Sequence, residues 1–120
     1  MNPMRLPTDP SLEAAFGGRS ATLVLLYLQN YGSGHGNGIA RSFGLSVSVV
    51  QKQLQKFENG GILVSRMVGS ARLYEWNPRS PVAKSLRRFL QDYLDALPHE
   101  QLEAFFRERR RPRRPGKRIA

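Results

Sequence analysis

The chain has no cysteine, which excludes disulfides, thiolate nucleophiles and sulfur-ligated zinc and leaves His35 and His99 as the two imidazoles for any metal. Long apolar runs are also missing: Leu23 to Leu28 is the longest, well short of the ~20 residues a membrane-spanning helix needs. The opening MNPMRLPTDP lacks the apolar stretch of a secretory signal, so a soluble cytoplasmic protein without a membrane partner is expected. Acidic residues are scarce, 9 against 19 Lys plus Arg, giving a net charge of +10 over 120 residues. That length holds one small domain with appendages and excludes a large multidomain enzyme. The 40% of hydrophobic residues supply a core. A chain this short still leaves about a third of its unfolded surface exposed, so self-association into a homodimer is expected.

The positive charge is concentrated at one end. Residues 107–120 hold Arg107, Arg109, Arg110, Arg111, Arg113, Arg114, Lys117 and Arg118 against Glu108 alone, a net +7 that leaves +3 for the rest. Pro112, Pro115 and Gly116 interrupt the run, so an extended arm that seeks a polyanion is expected, with Arg110, Arg111, Arg113 and Arg114 on nucleic acid. The competing interpretation is a solvated tail that only aids solubility.

Residues 1–10 hold three prolines and no periodicity and are expected to be an arm. Asp9 or Ser11 can cap a short helix from about Leu12 to Phe16, which Gly17 and Gly18 end. From Ser20 to Asn30 the pattern is apolar nearly all round, as in a helix enclosed by other elements. The stretch YGSGHGNG predicts a loop, followed by a helix with Ile39, Ala40 and Phe43 that Gly44 stops and Leu45 plugs. Ser46 caps the next helix, to about Asn59, with Val50, Leu54 and Phe57 on one buried stripe. Ser48, Gln51, Lys52, Gln55 and Lys56 then form an outward arc free of acidic residues.

Ile62 to Val68 and Ala71 to Trp76 read as a hairpin turned at Gly69 and Ser70, with Arg66 and Arg72 near its tip. Val82, Leu86, Phe89, Leu90, Tyr93, Leu94 and Leu97 repeat at helical spacing and are candidates for pairing two subunits or for covering their own monomer. After Pro98 a further helix is expected from His99 to about Arg109, with Leu102, Phe105 and Phe106 as its contacts.

This order predicts a mainly α fold with a small β-hairpin wing: an arm (1–10), a winged helix-turn-helix (11–79), C-terminal helices (80–106) and a basic tail (107–120). A helix in the major groove presents side chains to base edges while basic groups around it hold phosphates. Gln51 and Gln55 suit adenine, Lys52 suits guanine acceptors or phosphate, Ser46 and Ser48 suit backbone contacts, and the arginine hairpin suits phosphate or a minor groove.

The stretch LSVSVVQKQLQKFENGGILVSRMVGSARLYEWNPRSP resembles the recognition helix and wing of ArsR-like winged helix-turn-helix regulators. The likeness is densest in a branch with S-x-V-Q-x-x-L, G-x-L-V-S-R and R-x-Y-x-x-N-P, and extends over about Ser11 to Arg88. It implies a dimeric prokaryotic DNA-binding repressor in which Ser46, Val47, Ser48, Gln51 and Lys52 read the groove and 66–72 is the wing. Metal-sensing members use cysteines near the recognition region or paired His and Asp on the last helix. This chain has no Cys, and Asp92 has no histidine beside it, so neither metal nor cofactor is expected. Some relatives of the branch precede a nucleotidyltransferase domain, which here would be a separate chain.

Catalysis is not expected. His99 follows Pro98 at a helix start, where exposed or capping histidines are common, and His35 lies among glycines without a nucleophile or carboxylate within several residues. GSGHGNG lacks the Lys-Ser/Thr pair of a phosphate cradle. Tyr74 and Trp76 are expected to pack on the domain and not to stack on bases. Three classes of function therefore compete: a sequence-specific regulator binding double-stranded DNA as a homodimer, an architectural or RNA-associated binder, and an interaction module for a separate protein.

Overall fold

The computed structural model describes residues 8–106; the expected basic tail and the first seven residues of the arm lie outside them. The described chain runs α1 Pro10–Phe16, α2 Arg19–Tyr31, β1 Ser33–His35, α3 Gly36–Phe43, α4 Val47–Asn59, β2 Leu63–Val68, β3 Ala71–Trp76, α5 Pro81–Ala96 and α6 His99–Phe105.

A helix apolar on every side has to be enclosed, and α2 is. Ala21, Leu23, Val24, Leu25, Leu26 and Leu28 are all buried, with α1, α3, α4, α5 and β1 packed around them. Thr22, the buried polar residue in this helix, is satisfied within it: its hydroxyl donates to the Gly18 carbonyl at 2.8 Å. Helix α1 begins at Pro10, inside the stretch expected to be an arm. The Asp9 carboxylate accepts from the Ser11 N–H at 2.7 Å, and proline is tolerated at the first helical position, where no N–H is needed.

The turn between α3 and α4 follows the sequence closely. Gly44 takes the left-handed conformation, φ 67°, that ends α3, and the Leu45 N–H donates back to the Ala40 carbonyl at 2.9 Å. Leu45 is half-buried against the core. Ser46 then caps α4, its hydroxyl accepting from the Val49 N–H at 3.2 Å. Val50, Leu54 and Phe57 are buried, fixing α4 against α2 and α3.

The glycine-rich stretch is not all loop. Ser33–His35 forms a short antiparallel strand on β3, making a three-stranded sheet of order β1-β3-β2 with Gly34 opposite Tyr74. Glycine has poor strand propensity, but Gly34 is where the strand crosses the Tyr27 ring: a Cβ there would lie 2.7 Å from Tyr27 Cε1. Gly34→Ala is accordingly expected to destabilise the domain by ~1 to 3 kcal/mol, read from urea unfolding, through overpacking against that ring. A cost below about half a kcal/mol would mean the ring moves aside freely.

Strands β2 and β3 pair from Leu63↔Trp76 to Val68↔Ala71, and Gly69, φ 64°, with Ser70 makes the two-residue turn. Asn77 closes the hairpin base, donating from its amide side chain to the Gly61 carbonyl at 2.8 Å. Ser80 caps α5, accepting from the Ala83 N–H at 3.0 Å, with Pro81 in the first turn. Phe106, the last described residue, is buried in a ring cluster with Tyr31 at 5.6 Å and Phe43 at 6.4 Å between centroids. The last described residue therefore lies against the ends of α2 and α3. Helix, turn, helix and hairpin in this order are a winged helix-turn-helix.

Candidate nucleic-acid interface

Helical spacing from the buried stripe of α4 places Ser48, Lys52 and Gln55 at the middle of the opposite arc, and all three are exposed. Gln55 Nε2 donates to Asn59 Oδ1 at 3.1 Å, which extends the polar surface one turn toward the helix end. Asn59 was not among the residues expected at the interface, although its i+4 spacing from Gln55 was a readable signal. Lys52 has no hydrogen-bond or ion-pair partner among the described residues.

The two edges of the arc are engaged with neighbouring elements. Gln51 is exposed, but its amide lies across the start of α3, where a Cβ at Gly36 would collide with Gln51 Nε2. On the other edge, Lys56 Nζ donates to the Phe16 carbonyl at the end of α1, 3.1 Å away, and lies 4.9 Å from the Phe57 ring centroid. Lys56 thus ties α1 to α4. Ser46 and Ser48 sit at the helix start with their hydroxyls 3.4 Å apart, and Val47 beside them is exposed.

The wing carries less free positive charge than its composition suggests. Arg66 Nε donates to Glu75 Oε2 at 3.0 Å, because Glu75 lies two residues along β3 from Leu73, the residue opposite Arg66, and so on the same sheet face. Arg72 Nη1 donates to Ser65 Oγ at 3.1 Å, and Ser65 in turn donates to Glu58 of α4 at 2.7 Å. This chain of bonds fixes the angle between wing and α4. Both arginines keep exposed donors, and Met67 and Val68 at the tip are exposed as well. His35 belongs to the same assembly, its Nδ1 lying 3.3 Å from the Arg72 carbonyl oxygen.

Tyr74 and Trp76 pack into the core, 3% and 7% exposed, so neither ring offers a face to a base. Burial first, and the Glu58 carboxylate second, hold the Tyr74 phenol above its ordinary pKa, with Arg72 pulling the other way. Tyr74 is therefore a neutral hydroxyl at physiological pH. Arg110, Arg111, Arg113 and Arg114 lie outside the described residues.

The apolar stripe of α5 divides in two. Leu90 and Leu94 are 0% and 2% exposed, inside their own monomer, while Leu86, Tyr93 and Leu97 pack half-buried against that core. Val82 and Phe89 stand 61% and 49% exposed, and with Pro81, Ser85 and Leu86 they line a surface groove of about 560 Å³. The helix is a lid along one edge and an open apolar face along the other.

No family model and no curated protein matches the chain. Among solved structures, the AntR antimony-specific transcriptional repressor superposes with a TM-score of 0.51 at 16% identity, over 79% of this chain and 93% of that one. A point mutant of ZitR from Lactococcus lactis gives a TM-score of 0.47 at 18% identity, over 86% of this chain and 74% of that one. At such identities the likeness to AntR is one of fold. The chain is a winged helix-turn-helix protein, with a fold that a transcriptional repressor also uses.

Proposed function

We propose that the protein is a transcriptional regulator, a repressor by preference, that binds double-stranded DNA in a sequence-specific manner as a homodimer. The observation that carries this reading is the exposed, acid-free arc of α4, with the arginine-bearing wing fixed to it through Glu58 and Ser65. Helix α4 enters the major groove, where Ser48, Gln51, Lys52 and Gln55 face base edges and phosphates. Val47 brings methyl groups suited to a thymine methyl, and Ser46 with Lys56 flanks the helix at the backbone. The wing lies along the backbone or in the minor groove with Arg66 and Arg72. The tail, with Arg110, Arg111, Arg113 and Arg114, adds phosphate affinity without sequence preference. The fold likeness to a repressor supports the same reading.

Two copies pair through the open edge of α5, with Val82, Leu86 and Phe89 at its centre and Tyr93 and Leu97 beside it. Leu90 and Leu94 serve the monomer core and only stiffen that surface. A glutamate at Phe89 costs the monomer little, because half of the ring is already in water, but it places a charge in an apolar contact. Phe89→Glu is expected to convert a dimer to monomers by light scattering and to abolish cooperative binding to two half-sites. A wild-type protein that is monomeric at micromolar concentration would refute the pairing.

The functional reading itself is tested by competition between a selected duplex and random duplex at physiological salt. A specificity ratio of ~10³ or more is expected of a regulator. A ratio near one would make the protein an architectural binder.

A further inference from the structure

A cleft of about 550 Å³ opens between Gln29 of α2, Trp76 at the end of β3 and the α5 residues Lys84, Arg87 and Arg88. Its charge is lopsided, three cations against the one carboxylate of Asp92. The amides beside them are already used: Arg87 Nε donates to Gln29 Oε1 at 3.0 Å, Gln29 Nε2 to Gln91 Oε1 at 2.8 Å, and Gln91 Nε2 to Asp95 Oδ1 at 2.9 Å. This relay holds the Arg87 guanidinium 5.8 Å from the Trp76 ring centroid. Lys84 and Arg88 have no partner among the described residues. Trp76 is more than nine-tenths buried, and its indole N–H finds no acceptor among the described residues.

We propose that this cleft binds a small organic anion with an aromatic or similarly planar body, its carboxylate or phosphate on Lys84, Arg87 and Arg88 and its body along the edge that Trp76 shows to the cleft. The volume falls within the range of small-molecule sites, which combine apolar surface, here the Trp76 edge, with a few convergent polar groups. Guanidinium groups favour carboxylate and phosphate, which their planar fork can hold bidentately. The same helix carries Val82 and Phe89, and Trp76 ends the wing. Resting on the regulator reading, the bound anion adjusts the relation between subunit pairing and the wing.

Trp76 is the one tryptophan of the chain, so its emission reports occupancy directly, without DNA. The full-length protein is titrated with benzoate, phenyl phosphate and inorganic phosphate, with benzamide as the neutral control. A saturable change with benzoate or phenyl phosphate is expected, none with benzamide, and about tenfold or greater weakening in Lys84→Gln and Arg88→Gln. Both side chains are exposed and unpaired, so both variants keep the wild-type thermal midpoint. The proposal is overturned if none of the three anions saturates, if benzamide responds equally, or if either variant binds as the wild type does. It is also overturned if inorganic phosphate binds as tightly as phenyl phosphate, or if random duplex displaces benzoate and is itself weakened by Arg88→Gln. The first result would show a bare oxyanion site, the second a nucleic-acid contact. Failure of the small anions leaves the specificity ratio for duplex DNA unaffected, so the two readings fail separately.

Discussion

Lys52→Glu is expected to lower duplex affinity about a hundredfold or more at physiological salt while leaving the thermal midpoint unchanged. Lys52 stands exposed at the middle of the outward arc of α4 and makes no hydrogen bond or ion pair among the described residues, so the fold does not depend on it. In the proposed complex it lies against bases or phosphates. Reversing its sign removes one cationic contact and sets a carboxylate against a polyanion, and like-charge juxtaposition costs several kcal/mol, where ~1.4 kcal/mol is tenfold. The milder Lys52→Ala should reduce affinity about tenfold and flatten the salt dependence by about one contact. Electrophoretic or anisotropy titration at two salt concentrations separates the two. Wild-type affinity in the glutamate variant would remove α4 from the interface.

Leu54→Ala produces an effect of similar size by a different route. Leu54 is fully buried beneath α4, and truncating such a leucine costs ~2 to 5 kcal/mol through lost transfer energy and the cavity left behind. Against a total stability of about 5 to 15 kcal/mol for a small domain, that is a large share. Urea unfolding should show the loss in full. Duplex binding should recover at temperatures where the variant is folded, which distinguishes it from Lys52→Glu, whose defect persists in the folded protein. A stability change below about 1 kcal/mol would mean that the stripe of α4 is not its anchor.

How far such residues can be identified from sequence depends on whether their neighbours are local. The stripe of Val50, Leu54 and Phe57, the Ser46 cap and the Gly44 turn all rest on contacts within one or two helical turns, and each was legible. Gln51 and Lys56 were legible as exposed and opposite the core, but their partners, Gly36 and the Phe16 carbonyl, lie 15 and 40 residues away. Helical spacing carries no trace of those contacts. The strand at Ser33–His35 was hidden for a related reason. Nothing in GSGHG favours extended backbone locally, and the strand exists because β3 offers an edge and Tyr27 accepts only a glycine beneath it. Helix α5 shows the remaining limit. Its spacing gave one apolar side, whereas the packing of α2 buries only the arc with Ala83, Leu90 and Leu94 and leaves Val82 and Phe89 in water.

Charge was subject to the same restriction. The sequence shows a cationic tip at Arg66 and Arg72, and strand pairing brings Glu75 to one and Ser65 to the other. A residue's net contribution to a surface field depends on its cross-strand neighbours, which only the register reveals.

The central claim, a dimeric regulator that reads DNA sequence, is tested most directly by recovering genomic fragments with the purified full-length protein at physiological salt, where non-specific binding is weak. The account predicts enrichment of one fragment class bearing an inverted repeat, with half-sites about one helical turn apart. Uniform recovery of all fragments, or recovery of none, would contradict it.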